Sequence, residues 1–218
     1  MGALLENLRL ALSEHALVLL TLVLVLAAVT ALLGWREWRG RRRLDTARSE
    51  ISTLRQRDAL TGLPTREALE QALATASASA EARGEGLCVA YLGLDGLRAI
   101  NDAYGLRVGD AVLHEVAGRL SQLVDGQPHV ARFGGDEFVL FCPCGPEGLE
   151  ALARRLQALV AEPLQAESLN LQIGASVGFA LFPDDGARPR LVAQAGLAMR
   201  PVKHTGGNGH ARFDPAMN

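Results

Sequence analysis

The chain has 218 residues, of which 49% are hydrophobic, 5% aromatic and 21% charged, with a formal net charge of -2. That is one domain's worth of chain plus a little, too apolar for a disordered segment and too acidic for a basic nucleic-acid binder, so no nucleic-acid partner is expected. Three cysteines are too few, and odd in number, for a disulfide scaffold and suit a reducing compartment.

Residues 16–34 run nineteen positions without a charge, mostly Leu, Val and Ala. As a helix such a run covers about 28 Å, close to the roughly 30 Å hydrocarbon core of a bilayer. Trp35 and Trp38 follow at headgroup height, then Arg36, Arg39, Arg41, Arg42 and Arg43, which favour the cytoplasmic side. A cleaved signal peptide fits less well, because residues 1–15 have no basic leader and the apolar run exceeds an ordinary signal core. A buried core helix of this length is not needed in so small a domain. The expected organisation is a short extracytoplasmic N-terminus at 1–15, a transmembrane helix at 16–35, a basic juxtamembrane and helical linker at 36–57, and a cytoplasmic folded domain at 58–214. Leu44, Ala47, Ile51 and Leu54 lie at a/d spacing in the linker. Two heptads suit either a parallel helix pair or a lone helix with one greasy stripe.

The body alternates strand-like and helix-like segments. The spacing predicts a buried strand at Leu87–Leu94, a helix over Asp110–Leu123, and two strands, Val130–Phe133 and Glu137–Cys142, around a Gly-Gly-Asp turn. A helix is expected at Pro146–Val160, strand within Leu169–Phe182 and a helix at Arg190–Arg200. Ala74–Gly86 reads as a helix end running into a loop, and Pro201 is expected to kink or end the last helix. The order implies an α/β (α+β) sandwich with helices over an antiparallel-containing sheet.

The chemistry concentrates in Arg132-Phe133-Gly134-Gly135-Asp136-Glu137-Phe138. Glycines permit a tight turn and close ligand approach. Adjacent carboxylates at a hairpin tip repel each other and favour water or a cation, such as a divalent metal bridging to phosphate. Taken alone, the segment is also simply a good hairpin turn. Cys142-Pro143-Cys144 lacks a second ligand pair for zinc. His114 and His129 read as surface or packed side chains, and Asp184-Asp185-Gly186 as a solvated turn. His204 and His210, flanking a Gly-rich turn, are candidates for phosphate contact.

RFGGDEF resembles the signature of GGDEF domains, the diguanylate cyclases, and the resemblance extends over about residues 55–214. Asp58-Ala59-Leu60-Thr61-Gly62-Leu63-Pro64-Thr65-Arg66 is similar to that family's DxLTGLxNR opening, with Thr65 for Asn. Leu94 to Asp102 resembles DxDxFKxIND, Gly105–Asp110 resembles GHxxGD with Leu106 for His, and Ser176 to Gly186 resembles the SxGxA…P.DG run. Lys203 to Asn208 resembles KxxGRN.

The resemblance implies a ferredoxin-like nucleotidyl cyclase fold. It also implies a reaction in which two GTP molecules, one on each of two antiparallel domains, become cyclic di-GMP and two pyrophosphates. Under it, Asp136 and the Leu94 carbonyl would hold Mg²⁺ or Mn²⁺, and Glu137 would help deprotonate the 3′-hydroxyl or bind a second ion. Arg98 would carry the positive charge of the family's catalytic Lys. Asn101 and Asp110 would read guanine, Gly134 and Gly135 would leave room for the nucleotide, and Lys203 would meet the terminal phosphates. The implied partners are GTP, a second copy joined through linker and domain, the membrane and a partner sensor protein. The implied location is a bacterial inner membrane, crossed once, with the C-terminal domain in the cytoplasm.

The chain departs from the pattern where charge matters. Gly93 stands at the position of the family's first metal-binding Asp, and Asp95 lies about 7 Å further along the strand, too far to replace it. Gly207 stands where KxxGRN has a phosphate-binding Arg. The family's inhibitory RxxD falls on Asp125 and Pro128, so no inhibitory site of that kind is expected. The expected function is that of a GTP-binding protein of cyclic di-GMP signalling with weakly bound metal and weak or absent cyclase activity. An active cyclase and a non-catalytic scaffolding or dimerisation module are the alternatives.

Overall fold

The computed structural model describes residues 56–123 and 129–217. The expectations for the anchor at 16–35, for most of the linker at 36–57, and for Asp125 and Pro128 lie outside the described residues. Among the described residues no helix is long and apolar enough to cross a membrane.

The elements in chain order are α1 (Arg66–Arg83), β1 (Leu87–Asp95), α2 (Leu97–Tyr104), α3 (Leu106–Ser121), β2 (His129–Gly134), β3 (Glu137–Pro143), α4 (Leu149–Ala161), β4 (Leu164–Ala166), β5 (Leu169–Leu171), β6 (Gly174–Phe182), α5 (Leu191–His204) and β7 (His210–Arg212). Five strands form one sheet in the order β2-β3-β1-β6-β7, and β4 and β5 form a separate ribbon. β1 is antiparallel to both β3 and β6, whereas β6 and β7 run parallel. The mixed α/β fold expected from the sequence is the one observed.

β1 sits at the centre of the sheet and is covered on both faces, which is why its sequence is a near-continuous apolar run. Cys88, Ala90, Leu92 and Leu94 pack with Val112, Val116 and Leu120 of α3 and Leu156 of α4. Val89 belongs to the opposite layer, with Leu69 and Leu73 of α1 and Leu191, Ala195 and Ala198 of α5. Ala195 and Ala198 stand on the inward face of α5 opposite Gly178, and there the helix approaches the sheet closely. A Cβ on Gly178 of β6 would overlap the Ala195 carbonyl oxygen and the Met199 backbone nitrogen.

Several boundaries differ from the sequence-based expectation. The Ala/Ser-rich stretch after Ala74 remains helical to Arg83, because small side chains suit a helix lying flat on a sheet. α2 is absent from the sequence-based expectation; it is only eight residues long and fully buries only Leu97. α3 begins at Leu106, four residues before the expected start. α5 runs through Pro201 to His204 rather than ending before it. Proline there removes one N–H, and the last turn continues to its close, where the Thr205 amide donates to the Pro201 carbonyl at 3.0 Å.

Candidate functional site

The β2–β3 hairpin delivers the acidic pair. Gly134 and Gly135 adopt φ of +139° and +52°, conformations that glycine reaches without strain, and both are exposed at the tip with open space around them. The turn is tied down on two sides. The Leu94 amide donates to the Asp136 carbonyl at 3.0 Å, joining the tip to the end of β1. Arg132 donates from Nε and Nη2 to the Gly135 carbonyl at 3.2 and 2.9 Å. Its Nη1 reaches both oxygens of Asp58 at 3.0 and 3.2 Å.

Asp58 also accepts from the amide and hydroxyl of Thr61. Burial works against its charge, but the hydrogen bonds from Thr61 and Arg132 outweigh that and hold the carboxyl below its ordinary range. The arginine of the RFGGDEF segment is therefore a brace between the domain's first turn and the hairpin tip.

The two neighbouring carboxylates do not share a cation. Asp136 Oδ2 accepts from Lys203 Nζ at 2.6 Å, and both side chains are about one-third exposed. Glu137 Oε2 accepts from the Tyr91 hydroxyl at 2.7 Å. Burial and that hydrogen bond push the phenol's pKa well up, so Tyr91 stays protonated as the donor. Its ring meets Phe133 edge-on at 5.7 Å. Tyr91 was not among the sequence-based candidates. Its only signal was its place two residues before Gly93, on the same face of a central strand.

Gly93 pairs across the sheet with Glu137 on one side and Ser176 on the other. A Cβ there would stand 2.8 Å from Lys203 Nζ, 3.1 Å from its Cε and 3.2 Å from Met199 Sδ. The lysine from the last turn of α5 thus lies over the glycine. Asp95 is committed elsewhere: it accepts from Ser176 Oγ at 2.8 Å and from the Asn208 amide at 2.7 Å, anchoring the loop before β7. The Leu94 side chain is buried in the core. Among the described residues no group of three or more His, Cys, Asp or Glu converges as a metal-binding set. One carboxylate that already faces an ammonium, with a backbone carbonyl, does not make a divalent-cation site, so the residues present do not fit a resident Mg²⁺ or Mn²⁺.

Asn101 and Asp110 come from α2 and α3. The Asn101 side chain lies against Gly109, where a Cβ would overlap its Oδ1, and Asp110 is the next residue along and exposed. Asn101 Oδ1 is buried without a hydrogen-bond partner, an unsatisfied acceptor at the expected guanine-reading position. Arg98 is not drawn into the cluster: its side chain is 96% exposed, 3.8 Å from Asp102.

Two secondary readings are corrected. Asp185 does not lie in a solvated turn: it accepts from the Leu181 amide at 2.7 Å and from Arg212 Nη2 at 2.7 Å, clasping the end of β6 to β7. His210 Nε2 lies 2.9 Å from Glu150 Oε2, so it faces a carboxylate. His129 stacks on Phe141 with centroids 4.3 Å apart, and Cys142 is buried on β3.

Residues 55–209 match the family model described as "Diguanylate cyclase, GGDEF domain". The chain is 39% identical over 177 residues to the bifunctional diguanylate cyclase/cyclic di-GMP phosphodiesterase MucR of Pseudomonas aeruginosa, covering 80% of this chain and 26% of that protein. It thus spans about a quarter of the length of the curated relatives it matches. Among solved structures, it resembles a sensory box/GGDEF family protein from Caulobacter crescentus, with 39% identity, a TM-score of 0.66 and coverage of 69% of this chain and 99% of that one. It also resembles the GGDEF domain of DgcB from the same organism, solved in complex with c-di-GMP, at 28% identity and TM-score 0.65, covering 72% and 95%. With the hairpin, the sheet order and these likenesses in agreement, this chain belongs to the GGDEF domain family of cyclic di-GMP signalling.

Proposed function

We propose that this protein binds GTP as a GGDEF module and has lost most or all of the cyclase reaction. The observation that carries this reading is the contrast between the two ends of the site. At the base-reading end, Asn101 holds a buried, unpartnered acceptor against Gly109, the residue before Asp110, and an amide with a carboxylate suits the donor and acceptor edge of guanine. At the phosphate end, Gly93 contributes no carboxylate and Asp136 is already paired with Lys203.

In this reading the residues present bind and orient rather than transform. Asn101 and Asp110 select the base, the open glycine tip accommodates the sugar and phosphates, and Lys203 offers its remaining ammonium protons to a phosphate oxygen. Glu137, held by Tyr91, stands ready to accept a proton, but its cross-strand neighbour Gly93 supplies no carboxylate to hold a divalent cation beside it. One missing electrostatic contact in a transition state is worth on the order of 3 kcal/mol, about a hundredfold in rate. The reading includes an inner-membrane anchor at 16–35 and self-association through the 36–57 linker, supported by the apolar run, the arginine cluster and the a/d spacing.

The retained Asp136-Glu137 pair on a braced hairpin favours a second reading, an active cyclase. One experiment separates the two: the purified full-length protein in detergent is titrated with GTP, and the products are identified. Saturable GTP binding that weakens in Asn101→Ala and Asp110→Ala, with no cyclic di-GMP over hours, supports the proposal. Steady multiple turnover supports the cyclase, and no GTP binding defeats both.

A further inference from the structure

We infer that the Lys203 ammonium is the resident cation of this site: it neutralises Asp136 in place of a divalent metal, lying over Gly93, which supplies no carboxylate to compete for it. The inference deepens the GTP-binding reading, on which its nucleotide arm rests.

Three observations converge. Lys203 Nζ is 2.6 Å from Asp136 Oδ2, a short charge-assisted contact. The same Nζ is 2.8 Å, and Cε 3.1 Å, from where a Cβ of residue 93 would stand, so a side chain there shifts the flexible end of the lysine by a short distance while leaving it within reach of Asp136. Among the described residues no three potential ligands gather at a point. The acidic pair on the hairpin tip would otherwise repel, yet each member has its own protein donor, Lys203 for Asp136 and Tyr91 for Glu137.

The geometry has a chemical consequence. An ammonium carries three protons, and Asp136 takes one. Lys203 is one-third exposed, which leaves the other donors open to an incoming anion. A polyphosphate arriving at the tip meets a cation that is covalently tethered and always present. A divalent ion approaching the same carboxylate meets a like charge at contact range and finds no second carboxylate from residue 93. The site is thereby suited to a nucleotide polyphosphate bound without a metal requirement.

The test is a cycle of Mn²⁺ affinities measured by electron paramagnetic resonance on nucleotide-free, full-length protein in detergent: wild type, Gly93→Asp, Lys203→Met and the double variant. The expected result is weak binding in the wild type and little gain in Gly93→Asp, where lysine competes for both carboxylates. The double variant should bind about tenfold more tightly than Gly93→Asp, the scale expected when one close like charge is removed. Lys203→Arg, which keeps the charge, should stay as weak as wild type and serves as a conservative control for folding. Equal gains from Gly93→Asp with and without Lys203, or tight Mn²⁺ binding by the wild type, would overturn the inference. In the second arm GTP affinity is measured in excess Mg²⁺ and in EDTA. Little difference is expected for wild type, and a loss of about tenfold in EDTA for Lys203→Met. Abolition of wild-type binding by EDTA counts against the inference. Absence of GTP binding in both buffers defeats the GTP-binding reading alone, because the Mn²⁺ cycle still reports on the lysine.

Discussion

The Tyr91 hydroxyl donates to Glu137 Oε2 at 2.7 Å, linking the central strand to the first residue of β3 across the sheet. Glu137 is half-buried, and this contact orients a carboxylate that would otherwise swing freely at the hairpin base. Replacing Tyr91 with Phe keeps the ring against Phe133 and removes only the donor. Net stabilisation by a single hydrogen bond is about 1 kcal/mol, somewhat more when the acceptor is charged. The Tyr91→Phe protein should therefore show a lower urea midpoint with an unchanged slope, read by far-ultraviolet circular dichroism.

Asp58 gives the fold a specific acid sensitivity. Its carboxyl is held below its ordinary value in the folded protein, so it binds a proton more readily when unfolded. Its stabilising contribution is present above the ordinary carboxylate range of about pH 4 and is lost as pH falls through the lowered native value. Asp58→Asn should lower stability at neutral pH and flatten the fall in melting temperature between about pH 5 and pH 3. A fall as steep as that of the wild type would refute this account.

The contact between α5 and β6 tolerates no added atom at Gly178. A Cβ there would overlap backbone, which cannot rotate away as a side chain could. Gly178→Ala should cost about 1–3 kcal/mol or more by prising the helix from the sheet. Because Lys203 rides on the same helix, this variant should also weaken the Lys203–Asp136 pair. A thermal melt checks the first effect, and Mn²⁺ affinity checks the second.

Restoring an arginine at Gly207 should not restore a phosphate contact. Gly207 has φ of +73°, and a Cβ would stand 2.7 Å from the Asp95 carboxylate that holds Ser176 and the Asn208 amide. The left-handed backbone alone costs a non-glycine residue about 1 kcal/mol or more. Gly207→Arg should therefore lower the melting temperature and leave GTP affinity no tighter than wild type; a tighter complex at unchanged stability would contradict the expectation.

Much of the molecule was legible along the chain. The apolar run of β1, the glycine-centred hairpin and the body of the helix from Asp110 onward announced themselves by period and by turn residues. The ordered motifs identified the family, and the glycine at 93 was visible as a departure. α2 escaped because it is only eight residues long and fully buries a single side chain. The continuation of α5 through Pro201 escaped because a proline in a final turn removes only one donor. Asp185 was read as solvated because its partner Arg212 lies 27 positions away in sequence.

By itself, then, the sequence determined what is local: which segments could be strands or helices, which residues carry charge, and that a carboxylate is missing at position 93. Only the tertiary structure decided what fills the consequence of that loss. Lys203 lies 67 residues from Asp136 and reaches it because α5 packs over β1 and sets its last turn above Gly93. Tyr91 and Glu137 meet across 46 residues for the same kind of reason. Ion pairs and hydrogen bonds depend on separations of a few ångströms, and pairing across a sheet, unlike period along a strand, leaves no local trace in the order of the residues.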